Sequence, residues 1–110
     1  MKPIKFLIVD DKIRMGAVSY HRYLLTPDDK FAIIKGGGMV EFEYNDNNKT
    51  IRFDSGSADY GTFKQSDVKD AIANTKDFDN SLETIGKIVC GDNFDLSKCR
   101  IFAREEEIKL

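Results

Sequence analysis

The stretch from Ile34 to Gly61, IKGGGMVEFEYNDNNKTIRFDSGSADYG, restricts the folding of this chain more than any other. Val40, Phe42 and Tyr44 alternate with Glu41 and Glu43, the period of two that turns one face of a strand to a core and the other to water. Asn45, Asp46, Asn47 and Asn48 follow, and short polar side chains of this kind bond nearby backbone and tolerate positive φ. Thr50 to Phe53 is β-rich again, so the pattern predicts an antiparallel hairpin with loops at both ends. Gly36 to Gly38 precede the alternation, and an Asp-Ser-Gly-Ser cluster follows it from Asp54 to Ser57. Hairpin pairing lays those two points side by side. Their juxtaposition is the first candidate for a site.

A chain of 110 residues fits a single domain, and its 41% hydrophobic and 33% charged content is that of an ordinary soluble protein. The net charge of −2 hides an uneven spread: residues 1–40 carry seven Lys/Arg against four Asp/Glu, and the remainder ten against fifteen. The N-terminal third can thus offer positive potential to a small anion. The overall balance, with no basic stripe interleaved with aromatics, argues against a nucleic-acid partner. The apolar run Phe6 to Val9 is too short for a signal-peptide core or a membrane span, so no membrane partner is expected. Cys90 and Cys99 read most simply as reduced thiols of a cytoplasmic protein. One histidine and two cysteines match no tetrahedral zinc pattern, so no metal site is expected.

Along the chain, Ile4 to Val9 reads as a central strand and Asp10 to Lys12 as a loop. Arg14 to Leu25, with Met15, Val18, Tyr20, Leu24 and Leu25, reads as a helix ending before Pro27. Phe31 to Ile34 is a second strand leading to the hairpin. Gln65 to Thr75 is a helix capped by Ser66, with Val68, Ala71 and Ile72 on one face. Lys76 to Asn80 is a polar connector. Leu82 to Val89 fits a helix opened by an Asn80/Glu83 capping box, while Ile88 to Cys90 fits a strand equally well. Arg100 to Ala103 is a last strand, followed by a solvated charge run from Glu105 to Glu107. The expected fold is α/β: one domain over residues 1–110 with a mixed β-sheet flanked by two or three helices.

Several of these features together resemble the Janus/Ocnus family, which includes the small eukaryotic phosphohistidine phosphatase. They are Lys5 in the first strand, the Tyr20-His21 pair, the Gly36-Gly37-Gly38 turn, and Gly56-Ser57-Ala58-Asp59-Tyr60-Gly61 before a helix. The likeness covers roughly Ile4 to Ile72 and is densest in the hairpin. It implies hydrolysis of a phosphoramidate with His21 as general base or nucleophile, no cofactor, and a phosphorylated protein or small anionic ligand as partner. An imidazole can take a proton from water or attack phosphorus itself, while the phosphoryl oxygens need donors. The resemblance implies those donors at Lys5, Arg22, Gly36, Gly37, Ser57 and Ala58. Where the eukaryotic enzyme carries Arg and His after the glycines, this chain has Met39, Glu41 and Phe42, and Asp59 adds a negative charge. An enzyme must replace those cations, with Arg14 or Arg22 the candidates; a non-catalytic binding module on the same fold need not.

Apart from that resemblance, His21 reads as a helix-surface or half-buried residue, the glycines as a turn or close-packing device, Ser57 as a local hydrogen-bonding residue, and Lys5 as a snorkelling strand end. A second resemblance is to response-regulator receiver domains. Phe6-Leu7-Ile8-Val9-Asp10-Asp11 looks like their first strand and acidic pair, Asp54 stands where a phospho-acceptor would, and Lys98 lies in a Gly-x-x-x-x-x-Ser-Lys context. That reading implies Mg²⁺ held by the acidic pair.

Overall fold

A computed structural model gives the structure over residues 3–75 and 78–109. Six strands form one sheet: β1 (Ile4–Val9), β2 (Lys12–Gly16), β3 (Ile34–Tyr44), β4 (Lys49–Asp54), β5 (Arg100–Ala103) and β6 (Glu106–Ile108). Their order is β2-β1-β3-β4-β5-β6, and every neighbouring pair is antiparallel except β4 and β5. The parallel pair needs a crossover, which is made by α1 (Gln65–Asn74) and α2 (Phe78–Cys90). The α/β architecture with a mixed sheet expected from sequence is the one found.

The two sides of β1 explain the layering. Ile4, Phe6 and Ile8 face the main core, where Val40, Ile51 and Phe53 from the sheet meet Val68, Ala71, Ile72 and Leu82 from the helices. Phe6 anchors it edge-on to Phe53 and Phe63, with ring centroids 5.0 and 5.1 Å apart. Leu7 and Val9 point the other way and are covered by Leu24 from the connection between β2 and β3. One strand therefore fixes both layers, which is why Phe6 to Val9 reads as an unbroken apolar run.

The chain after β1 departs from the sequence expectation. Asp10 and Asp11, at φ 51° and 60°, form a two-residue turn that pairs Val9 with Lys12. Both central residues at positive φ suit the right-handed twist of a tight hairpin, and Asp tolerates that region. Lys12 to Gly16 is then a strand, with Ile13 and Met15 on the helix-covered side, and not the start of a helix. The expected helix over Arg14 to Leu25 shrinks to a 3₁₀ turn, His21–Leu24. Alternation at Ile13 and Met15 won over the longer helical spacing. The expected strand at Phe31 to Ile34 begins only at Ile34, with Phe31 exposed.

Elsewhere the corrections are smaller. Lys64, not Ser66, stands at the cap position of α1, and Ser66 lies inside the helix. The ambiguous 82–89 segment is helical and belongs to α2 (Phe78–Cys90), so Asn80 lies within the helix and not ahead of it. Of the connector expected over Lys76 to Asn80, residues 76 and 77 lie outside the described residues. The charge run at Glu105 to Glu107 is a turn followed by edge strand β6. No helix among the described residues is long and apolar enough to cross a membrane.

The connection covering Leu7 and Val9 is held to β2 by one ion pair. Arg14 donates to both carboxylate oxygens of Asp29, at 2.5 and 3.2 Å, and to Leu24 O at 3.1 Å. The Arg14 hydrogen bond, helped by the Thr26 N–H, holds the Asp29 carboxyl at about 2 against an ordinary 3.8. A carboxylate depressed on folding contributes stability above its unfolded pKa and loses it as pH falls through the folded one. Asp29→Asn is therefore expected to be less stable than wild type near neutral pH. Urea unfolding at a series of pH values should show the gap closing between about pH 4 and pH 2. A gap independent of pH would rule out this ion pair as its source.

Candidate functional site

At the Lys5 end of β1, the 3₁₀ turn, the glycines of β3 and the loop from Ser55 to Phe63 come together. Leu24 pulls the turn down onto Leu7 and Val9, which leaves His21 over β3. His21 is 7% exposed, and its Nε2 lies 2.8 Å from Gly38 O. A carbonyl only accepts, so Nε2 carries a proton and donates it there. In the neutral ring the lone pair then belongs to Nδ1. Nδ1 has no hydrogen-bond partner among the described residues, and no side-chain nitrogen or oxygen there is both sealed and unpartnered. Nδ1 therefore reaches solvent.

The loop is a small closed structure. Ser57 N–H donates to Gly61 O at 3.1 Å, Gly61 N–H returns to Ser57 O at 2.8 Å, and Ser57 Oγ accepts from Tyr60 N–H at 3.2 Å. Tyr60 packs with the Leu7, Val9 and Leu24 cluster, and Gly37 N–H donates to Gly61 O at 3.3 Å. The loop seats on β3 because the strand there has no side chains. A Cβ on Gly36 would lie 2.2 Å from Thr62 O. Gly36 is also at φ 101°, where β3 takes one extra residue relative to β1 between the Leu7–Gly37 and Val9–Ile34 pairs.

A cavity of about 320 Å³ opens where these parts meet. Of the residues singled out from sequence, Lys5, His21, Arg22 and Ala58 line it, joined by Ser19, Tyr20, Gly56 and Asp59. Gly36 and Gly37 do not line it, and neither does Ser57, which is buried with its hydroxyl oxygen turned to Tyr60. Those three shape the wall from behind. Tyr20 carried a sequence signal through the Tyr20-His21 pair and Ser19 carried none; with a 3₁₀ turn in place of the helix, both line the cavity. Arg14, a candidate replacement cation, is instead committed to Asp29.

Two cations face the cavity without a carboxylate partner among the described residues. Lys5 Nζ approaches only Met39 Sδ, at 3.6 Å, a weak acceptor. The Arg22 guanidinium lies over the rings of Tyr20 and Tyr23, 4.4 and 5.1 Å from their centroids. Asp59, from the loop, is the carboxylate among the lining residues.

Other features lie apart. A larger hollow, about 640 Å³, between the start of α1 and β5–β6 contains none of the singled-out residues. Cys90 and Cys99 are free, and burial pushes both thiols up. The residues of the receiver resemblance are not brought together. Asp54 pairs with Met39, which pairs with Lys5 at one end of β1, whereas Asp10 and Asp11 follow Val9 at the other. Lys98 precedes β5, whose start pairs with the start of β4, away from Asp54.

The seating of the loop gives a test with its own control. Gly36→Ala meets both strained backbone and Thr62 O, whereas Gly61→Ala, at φ 82°, meets nothing within 4 Å. Gly61→Ala should cost about 1 kcal/mol of backbone strain. Gly36→Ala should cost at least about 2 kcal/mol, because the loop must also move. Equal losses in chemical denaturation would mean that the close approach of Thr62 contributes nothing. Comparison of the chain with protein-family models, with curated proteins and with solved structures finds no match.

Proposed function

We propose that the protein is a phosphoamidase that hydrolyses phosphohistidine or a related phosphoramidate, with His21 as its base or nucleophile. The observation that carries this reading is a single cavity combining His21 held through Nε2–H, two cations without a carboxylate partner among the described residues, and a glycine-backed loop. The Janus/Ocnus resemblance of the residues supports the same chemistry.

Each part has a defined task. Gly38 O holds the imidazole by Nε2–H, so Nδ1 is the nitrogen that acts. As a base it takes a proton from water while the water oxygen bonds to phosphorus and the P–N bond breaks. The departing nitrogen leaves with a proton. As a nucleophile, Nδ1 bonds phosphorus while the substrate's P–N bond breaks and its nitrogen leaves protonated, and water later cleaves the Nδ1–P bond to release phosphate. Lys5 and Arg22 offset the charge of the phosphoryl oxygens in either route. The backbone around Ala58 supplies neutral donors from the loop. The reading calls on no cofactor.

Asp59 favours a second reading, a binding module on the same fold that holds a phosphorylated protein or small anionic ligand without turnover. Its carboxylate opposes a dianion and lowers the affinity an enzyme would need for phosphate alone.

The deciding measurement is dephosphorylation of a phosphohistidine-containing protein, without added divalent metal, by wild type, His21→Ala and His21→Gln. The Gln amide can still donate to Gly38 O but offers no base. Both variants should fall by at least about a hundredfold, the scale of a lost acid–base group. Activity retained by His21→Gln would make His21 a structural residue. No turnover in the wild type, together with binding of a phosphorylated partner, would favour the module.

A further inference from the structure

We propose that Arg104 is the positioning residue of this cavity: its side chain fastens both ends of the Ser55–Phe63 loop. Arg104 follows β5, remote from the cavity in sequence, and nothing in its local motif marks it. Its backbone is at φ 54°, a region that glycine adopts freely and arginine only with strain. A side chain retained at such a position must recover that cost through its contacts.

The contacts of Arg104 all go to one target. Its Nη1 donates to Phe63 O at 3.1 Å, at the far end of the loop. Its Nη2 donates to Ser55 O at 3.3 Å, at the near end, and to Thr62 Oγ1 at 2.5 Å. The guanidinium also lies 3.9 Å from the centroid of the Phe63 ring. The Arg104 backbone is itself held, since its N–H donates to Phe53 O at 2.8 Å and its carbonyl accepts from Arg52 Nη1. A planar fork on a fixed backbone therefore spans the two feet of a loop whose crown, Gly56, Ala58 and Asp59, lines the cavity. Gly36 and Gly37 back the loop from β3, and Arg104 closes it from β5. With the feet fixed, the loop's backbone donors are held in place before any ligand arrives.

The test uses the full-length chain and the variants Arg104→Ala, Arg104→Gly and Arg104→Lys. Arg104→Gly suits φ 54° and removes only the fork, so it keeps the fold while releasing the loop. Amide hydrogen exchange at Ser57 and Gly61 should accelerate at least about tenfold in Arg104→Gly and Arg104→Ala, with β1 amides unchanged. Arg104→Lys keeps the charge without the fork and should fall between these and the wild type. Inorganic phosphate, titrated against the Ala58 amide resonance, should bind the Gly variant at least about tenfold more weakly. The kinetic counterpart, a raised KM for phosphohistidine at an unchanged melting temperature, rests on the phosphoamidase reading. Wild-type exchange rates at Ser57 and Gly61 in Arg104→Gly would overturn the proposal. A wild type that neither binds phosphate nor turns over phosphohistidine would instead overturn the phosphoamidase reading, and the exchange rates would still decide the role of Arg104.

Discussion

The candidate site depends on backbone meeting backbone at β3. Between Gly36 and Gly38 the strand presents no side chain, and its neighbours close in to distances no Cβ would permit. An added Cβ would lie 2.2 Å from Phe6 O at Gly37 and 2.1 Å from Asp54 O at Gly38. The same bare stretch gives His21 its acceptor at Gly38 O and the loop its partner at Gly37 N–H. The 3₁₀ turn and the loop thus register against one rigid strand and, through it, against each other. Functional groups placed on flexible connections gain precision when their connections are docked this way.

Docking of this kind needs a strand buried on both faces, and β1 supplies the floor. Phe6 commits one face to the helices and Leu7 and Val9 the other to the β2–β3 connection. Lys5 shares the second face, one register step beyond Leu7, so the covering layer ends where the cavity begins. The ion pair of Arg14 and Asp29 keeps that layer closed without occupying the cavity. Arg14 is therefore committed to Asp29, and Arg22 is the one of the two that lines the cavity.

What the sequence made legible follows from how local each signal is. The β3–β4 hairpin could be read because Val40, Phe42 and Tyr44 alternate over a span longer than most turns, with Asn-rich chemistry at its tip. The juxtaposition of the glycines with the Ser57 loop followed from that pairing alone. The Arg14–Leu25 segment was misread because its apolar residues satisfy helical spacing while only Ile13 and Met15 report the strand. The double-aspartate turn that reverses the chain into β2 carries no glycine to announce it. The Janus/Ocnus resemblance implied Ser57 as a phosphate donor, while the residue on its own read as a local hydrogen-bonding serine. Its actual partner, Tyr60 N–H, depends on loop closure that no spacing encodes. Arg104 was invisible for a similar reason: its acceptors lie about forty residues upstream and meet it only through the parallel β4–β5 pairing.

The charge balance of the cavity bears on the kind of phosphoryl compound it suits. Lys5 and Arg22 against Asp59 leave one formal positive charge among the charged side chains that line the cavity. A phosphoryl dianion would overbalance that by one. Under the phosphoamidase reading, a proton on the leaving group restores the balance: in phosphohistidine it sits on the ring nitrogen not bonded to phosphorus, and it lets the imidazole depart neutral when the P–N bond breaks. The bridging oxygen of a phosphate ester takes no proton near neutral pH, so the same cavity would hold an ester with an uncompensated charge. In water, a unit charge at about 4 Å is worth about 1 kcal/mol, and several times that where solvent is displaced. Under the phosphoamidase reading the charge of Asp59 disfavours an ester more than a protonated phosphoramidate, and under the binding-module reading the same charge lowers the affinity for any phosphoryl dianion.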